Sequence, residues 1–212
     1  MPSGKYFPDG ELKIWTLHIV VIIYVRCFMI IFGIDASTKS TGYSVFDGKK
    51  LMEYGVIKSN KEILIRILEI SNQLESLFDK YNPEIVYIED VPLSSAVNRR
   101  VAEYLLLLQG CILRICLLHN INFIQLEPSN WRRLVGLNSS RKREEQKESA
   151  IKLVNETYSL EYKWIDKKYD EKTGNSDICE AILIGMAGIR KDVIEWNFQN
   201  LLNFTRIVMP NR

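Results

Sequence analysis

The sequence has few of the residues that build soft-metal sites and disulfide frameworks. It contains two histidines and four cysteines, and the cysteines (Cys27, Cys111, Cys116 and Cys179) form no CxxC pair. A histidine-rich zinc site is therefore nearly excluded. Four reduced thiols in a cytoplasmic protein are the simplest interpretation of this cysteine pattern.

The sequence also lacks a dominant charge and a long apolar run. Its formal net charge is +2 over 212 residues, so any nucleic-acid surface has to be a local patch. The apolar stretch IWTLHIVVIIYV (14–25) is broken by Arg26 and falls short of the roughly 20 residues of a membrane span. We therefore expect no stable membrane association.

The length predicts one domain with an extra segment at each end. We expect the domain to cover residues 29–190, because a strand-like stretch begins directly after Met29. Residues 1–28 would be a dispensable apolar extension, or alternatively a membrane-surface or packing segment. Residues 191–212 would be a C-terminal tail.

Hydrophobic periodicity predicts an α/β fold with a mixed five-stranded sheet flanked by helices. Residues 29–59 read as three antiparallel strands, with Asp47-Gly48 as a hairpin turn. Two further strands follow at 84–90 and 121–128. Helical spacing covers 61–81, 97–120, 129–137, 139–158 and 175–190, while 159–173 reads as a polar loop. A crossover helix should make the first and fourth strands parallel.

Carboxylates stand where the ends of these elements should meet. Asp35 ends the first apolar strand and Glu89 ends the fourth. Asp177 and Glu180 lie three residues apart on the last helix and so share one face. Each acid alone could be a helix-capping or surface residue, but together they favour a shared cation site. Oxygen ligands suit Mg²⁺ or Mn²⁺, and several carboxylates suit two ions about 3.5–4 Å apart, as in phosphodiester hydrolysis.

In these stretches the chain resembles the RuvC-type Holliday junction resolvases and their bacteriophage relatives, within the ribonuclease H-like superfamily. The matching segments are GIDASTKSTGYSVFD, VYIEDV, LLQGCI, EPSNWRRLVG and SDICEAILIG, across residues 29–190. The resemblance implies a homodimeric, cytoplasmic endonuclease that nicks four-way DNA junctions symmetrically with Mg²⁺ or Mn²⁺. It implies that Asp35, Glu89, Asp177 and Glu180 are the catalytic metal ligands.

Two positions depart from the family pattern. The family usually has Asp at the position of Glu180, and the longer arm of Glu alters the geometry around a second ion. The family often has an aromatic wedge shortly after the second acid, where this chain has Pro92 and Leu93. This second departure bears on junction selectivity rather than on phosphodiester cleavage.

Basic residues near these motifs are the expected contacts to DNA phosphates. The candidates are Lys39, Arg99, Arg100, Arg132, Arg133, Lys142 and Arg143. The helix that begins near Arg143 also carries several glutamates, so a solvated charged face is the alternative there. Trp131 could stack on a base, but a tryptophan in the segment NWRRLVGL is more often part of the core.

Three other functions remain open at this point. A less selective branched-DNA or flap endonuclease would use the same acids. An actin-like kinase or ATPase also opens with a Gly-Ile-Asp strand, but it needs a second domain and a glycine-rich motif, and this chain has no Gly-Gly pair. A DNA-binding module without catalysis would gain nothing from clustered acids beside phosphate.

Overall fold

The computed structural model describes residues 29–91, 98–137 and 142–208, and of residues 193–208 only the backbone. Five strands form one sheet: β1 (Ile30–Asp35), β2 (Ser40–Asp47), β3 (Lys50–Lys58), β4 (Ile85–Glu89) and β5 (Asn122–Leu126). The helices described are α1 (Ile63–Tyr81), α2 (Arg99–Leu118), α3 (Pro128–Val135), α4 (Arg143–Tyr158), α5 (Lys167–Thr173) and α6 (Asn175–Val208).

The strand order β3-β2-β1-β4-β5 confirms the predicted mixed sheet. β1, β2 and β3 are antiparallel neighbours, and β1 pairs with β4 in parallel, with Ile34 opposite Ile88. β4 pairs with β5 in parallel as well. The carboxyl ends of β1, β4 and β5 therefore lie along one edge of the sheet, where ligands gather in such folds.

Each face of the sheet is covered by its own apolar core. On one face, Phe32, Ile34, Val86 and Ile88 pack with side chains of α1 and α2. On the other face, Ile31, Phe46 and Tyr87 pack with α3, α4 and α6. Alternating side chains of the central strands point to opposite faces, so both faces of the sheet are apolar and both are buried.

Helix α6 crosses the sheet at unusually short range because glycines stand at the contact. A Cβ added at Gly33 of β1 would overlap the backbone of Ala181 and Gly185, and one at Gly42 would overlap that of Asp177. The Ser44 hydroxyl donates a hydrogen bond to the Ala181 carbonyl at 2.8 Å. This close contact brings the first turns of α6 against the ends of β1 and β2.

Two of the helix predictions were wrong. Residues 159–173 were expected to be a loop, but Lys167–Thr173 form helix α5, whose Asp166 side chain accepts a hydrogen bond from the backbone N–H of Tyr169. The last helix was expected to end at 190, but α6 continues to Val208. Helix prediction from apolar spacing missed α5 because its sequence is polar, and it ended α6 too early because charged residues lie near Arg190.

One helix within the described residues, α2, is long and apolar enough to cross a membrane by length and composition. Its buried side chains, including Leu108, Ile112 and Ile115, pack in the core beneath the sheet. A helix that covers a sheet passes the same test as a membrane span, so this finding is weak evidence for a membrane.

Candidate active site

The central strands place two carboxylates side by side. Asp35 is the last residue of β1 and Glu89 the last of β4, directly after the paired residues Ile34 and Ile88. Asp90, the next residue, is exposed. The strand alternation therefore sends Glu89, and not Asp90, toward the site.

Helix α6 supplies the other two acids. One carboxylate oxygen each of Asp35, Asp177 and Glu180 lies within 4.8 Å of the other two. Glu180 is buried, and Asp35 and Asp177 are partly buried. The predicted helical pair thus shares a face, and that face meets the end of β1. Glu89 lies outside this group of three.

Arg132 connects Glu89 to the group. Its guanidinium Nη2 donates to Oε1 of Glu180 at 3.0 Å and lies 4.0 Å from Oε1 of Glu89. Arg132 was predicted to contact DNA, and in the structure its side chain is 21% exposed and pairs with the acids. Its neighbour Arg133 is exposed and donates to Asn130 instead.

A second internal cation, Lys147 of α4, flanks the opposite side. Its ammonium lies 2.8 Å from Asp170 of α5, 2.7 Å from the Ser176 hydroxyl and 3.9 Å from Asp177. Asp170 also accepts hydrogen bonds from the Ser176 backbone N–H and hydroxyl. Sequence reasoning missed Asp170, because it lies in a segment expected to be a loop and no motif marks it.

The crowding of these acids changes their protonation. Burial, followed by the charges of Glu180, Glu89 and Asp177, raises the pKa of Asp35 well above its usual value. Burial raises the pKa of Glu180 and Asp177 as well, although the charge of Arg132 opposes this at Glu180 and the nearby Ser40 hydroxyl opposes it at Asp177.

Glu89 shows the same effect with a value near neutrality. Burial and then the charge of Glu180 raise the pKa of Glu89 to about 7, against the charges of Arg132 and Arg143. A buried cluster of carboxylates therefore resists full ionisation until a further positive charge enters. Three carboxylate oxygens at close range, with no nitrogen or sulfur donor in the group, fit a hard divalent cation.

The other predicted DNA contacts lie on the surface. Lys39, Arg99, Arg100, Lys142 and Arg143 are all exposed. Arg99 pairs with Glu103 and Lys142 with Glu145, each within its own helix region. Arg143 is near enough to Glu89 to favour its ionised form. Trp131 is fully buried, as expected for a core residue.

The family model described as "Crossover junction endodeoxyribonuclease RuvC" matches residues 31–163 of the chain. The chain belongs to the RuvC family. The match covers Asp35 and Glu89 and ends before Asp177 and Glu180. The placement of the last two acids in the site therefore depends on the geometry of α6.

Curated RuvC proteins are similar over much of the chain. The RuvC of Orientia tsutsugamushi (strain Boryong) is 31% identical over 127 residues, which are 56% of this chain and 77% of that protein. The RuvC of Endomicrobium trichonymphae is 28% identical over 180 residues, which are 81% and 85% of the two chains.

Solved RuvC-type structures share the fold. Thermus thermophilus RuvC, solved in complex with a Holliday junction substrate, gives a TM-score of 0.60 at 15% identity and covers 78% of this chain and 96% of its own. The yeast mitochondrial Holliday junction resolvase Ydc2 gives a TM-score of 0.57 at 15% identity and covers 82% and 83%. These likenesses confirm the predicted ribonuclease H-like fold.

The raised pKa of Glu89 predicts a pH-dependent stability in the absence of metal. A carboxyl whose folded pKa is raised stabilises the fold below its unfolded pKa and loses that contribution as pH rises through the folded value. In EDTA, the free energy of unfolding should therefore fall between pH 4.5 and about 7. Glu89→Gln mimics the protonated acid. At pH 7 the free energy of unfolding of this variant should therefore exceed that of wild type by an amount on the order of 2–3 kcal/mol.

Urea titrations of both proteins at pH 4.5 and pH 7 measure this difference. The two proteins should be similar in stability at pH 4.5 and diverge at pH 7. Equal stabilities at both pH values would show that Glu89 is an ordinary solvated carboxylate.

Proposed function

We propose that this protein is an endonuclease that cleaves four-way DNA junctions by hydrolysis, during recombination or replication. The observation that carries the proposal is the convergence of Asp35, Asp177 and Glu180 at the sheet edge in a chain of the RuvC family. A cytoplasmic location and branched DNA as the partner follow from that activity.

Four acids, Asp35, Glu89, Asp177 and Glu180, would hold two Mg²⁺ or Mn²⁺ ions. When bound, such ions activate water and stabilise the leaving oxygen of a phosphodiester. The protein's part is to fix the carboxylates on rigid elements, β1, β4 and α6, so that little reorganisation accompanies the reaction. The raised pKa values of the acids suit them to exchange a proton for a metal cation.

The exposed cations around this edge would position the DNA. Lys39 follows β1, Arg99 and Arg100 begin α2, Arg133 lies on α3, and Lys142 and Arg143 begin α4. Contacts of this kind bind phosphates and supply affinity without sequence preference. Pro92 and Leu93, at the position of the family's aromatic wedge, lie outside the described residues. The assay below therefore measures whether the protein prefers a four-way junction to a linear duplex.

The proposed catalytic unit is the segment 29–190. β1 begins at Ile30 and the family match at residue 31. Residues 1–28 lie outside the described part of the chain. The continuous helix α6 extends past this unit to Val208, so part of the expected C-terminal tail is a continuation of the helix that carries Asp177 and Glu180.

Replacement of Asp35 tests the proposed chemistry. Asp35→Asn keeps the shape of the side chain but removes a charge that a divalent cation needs. Loss of a group that merely supports a metal ligand typically costs 10–100-fold, so loss of a ligand should reduce the cleavage rate by more than about 100-fold. DNA binding should persist or strengthen, because one negative charge beside phosphate is lost.

The assay follows nicking of a labelled four-way junction and a matched linear duplex in Mg²⁺, Mn²⁺ or EDTA. Asp90→Asn is the matched control, because Asp90 is adjacent to Glu89 but exposed. It should cleave like wild type. Normal junction cleavage by Asp35→Asn would refute the proposed site. Equal cleavage of the junction and the linear duplex by wild type would indicate a less selective nuclease and not a resolvase.

We also propose that the protein acts as a homodimer, so that two active sites face one junction. Helix α2 exposes a stripe of apolar residues, Leu106, Leu113 and Leu117, at 44%, 38% and 67%. Gly110 lies in the same stripe, and the space where its Cβ would stand is open. A self-complementary helix face of this kind suits a twofold contact between copies.

Sedimentation of the full chain tests this dimer. Leu117→Glu should shift wild-type dimers to monomers, because it would bury a carboxylate between two apolar helices. Met52→Glu is the control, since Met52 is 48% exposed on β3, the edge strand at the opposite end of the sheet from β5, which α2 contacts. A monomeric wild type at tens of micromolar concentration, or a dimeric Leu117→Glu, would contradict the proposal.

A further inference from the structure

Arg132 contacts two of the acids of the proposed site. Its guanidinium spans two carboxylates of the acid cluster, at 3.0 Å from Glu180 and 4.0 Å from Glu89. These two acids come from different elements, α6 and β4. Arg132 is thus the link between Glu89 and the group formed by Asp35, Asp177 and Glu180.

The guanidinium is supported in this position by the ring of Trp131. Its Cζ lies 4.6 Å from the ring centre of Trp131, which is fully buried, so the two planar groups form a cation–π contact. The side chain nevertheless remains 21% exposed. Arg132 is therefore anchored over the core, yet its side chain is partly exposed beside the edge where DNA phosphates are proposed to lie.

The position of Arg132 divides the acids into two sets. Asp35, Asp177 and Glu180 have ligand oxygens within 4.8 Å of one another, so one cation can contact all three. A second cation that uses Glu89 would have to share a neighbouring carboxylate with the first. Glu180 is such a neighbour, and its Oε1 already accepts a hydrogen bond from Arg132.

We propose that Arg132 competes with the second divalent cation for Glu180 and Glu89, so that the two metal positions fill unequally. This inference rests on the proposed metal-dependent function. Asp35, Asp177 and Glu180 would hold the first ion while Arg132 stays hydrogen-bonded to Oε1 of Glu180, so that Glu180 would use its other carboxylate oxygen. Loading of the second ion on Glu89 and Glu180 would displace the guanidinium, because Arg132 donates to the Glu180 oxygen that this ion would need.

The displaced guanidinium has a suitable acceptor at hand. Arginine binds phosphate oxygens through its planar fork, often with two parallel hydrogen bonds. A phosphate at the sheet edge would draw Arg132 away from Glu89 and Glu180. The approach of DNA and the loading of the second ion would thereby favour each other, which limits full metal loading in the absence of substrate.

Lys147 is not expected to behave in the same way. Its strongest contacts are Asp170 and Ser176, both outside the group of three acids, and Asp177 is 3.9 Å away. The ammonium therefore has partners that a metal ion would not take from it. The competition is specific to Arg132.

Mn²⁺ titration of the full-length protein without DNA tests the proposal, with free Mn²⁺ followed by electron paramagnetic resonance. Wild type should show one tight and one weak class of site. Arg132→Gln should tighten the weak class about tenfold or more, the effect of a charged hydrogen bond of about 1.5–3 kcal/mol. Arg133→Gln is the matched control, because Arg133 is adjacent and exposed, and it should titrate like wild type.

Two further variants, Arg132→Lys and Asp35→Asn, are titrated with Mn²⁺ in the same way. Arg132→Lys retains the charge but not the fork, so it should tighten the weak class less than Arg132→Gln does. It also carries the test if Arg132→Gln does not fold, in which case a weak class unchanged from wild type would refute the competition. Asp35→Asn should abolish the tight class.

The two proposals can fail separately. An unchanged or weaker second class in folded Arg132→Gln, with a tight class that is sensitive to Asp35→Asn, would overturn the role of Arg132 alone. Binding that Asp35→Asn leaves unchanged would overturn the proposed metal site itself, and this inference with it.

Discussion

The close contact between β1 and α6 is the constraint on which the site depends. Asp177 and Glu180 reach Asp35 because the helix backbone lies directly on the strands, and it can do so because Gly33 and Gly42 have no side chain at the contact. Any larger residue there would push the helix away and separate the carboxylates. The packing of the fold and the geometry of the acid cluster therefore depend on the same contact, since the helix face that carries these acids also buries Ala181 and Ile184 in the core.

Concentrated negative charge is the second consequence of this contact. Burial and mutual repulsion raise the pKa values of all four acids, which opposes ionisation of the cluster. Arg132 and Lys147 offset part of the repulsion from opposite sides. The protein thus holds the acids together at a cost in stability, as expected where a site is preorganised for a cation. The negative charge that remains available to a metal ion therefore depends on Arg132 and Lys147.

Most of the fold and the convergence of Asp35, Asp177 and Glu180 could be predicted from the sequence. Apolar strands that end in Asp35 and Glu89, and a helix with acids three residues apart, are local patterns with a clear spatial meaning. Arg132 and Asp170 could not be predicted as members of the site. Arg132 reads as a surface cation, and its partner Glu180 is 48 residues away. Asp170 lies on a short polar helix without apolar periodicity, so nothing local marks it as buried.

A crystal structure of the protein grown with Mn²⁺ would show whether the acids bind a cation, because anomalous scattering locates the ion without reference to any assumed ligand. We expect a strong anomalous peak from an ion bound by carboxylate oxygens of Asp35, Asp177 and Glu180. A second peak beside Glu89 should coincide with movement of the Arg132 side chain away from Glu180. Strong Mn²⁺ peaks elsewhere, with none among these acids, would contradict the account.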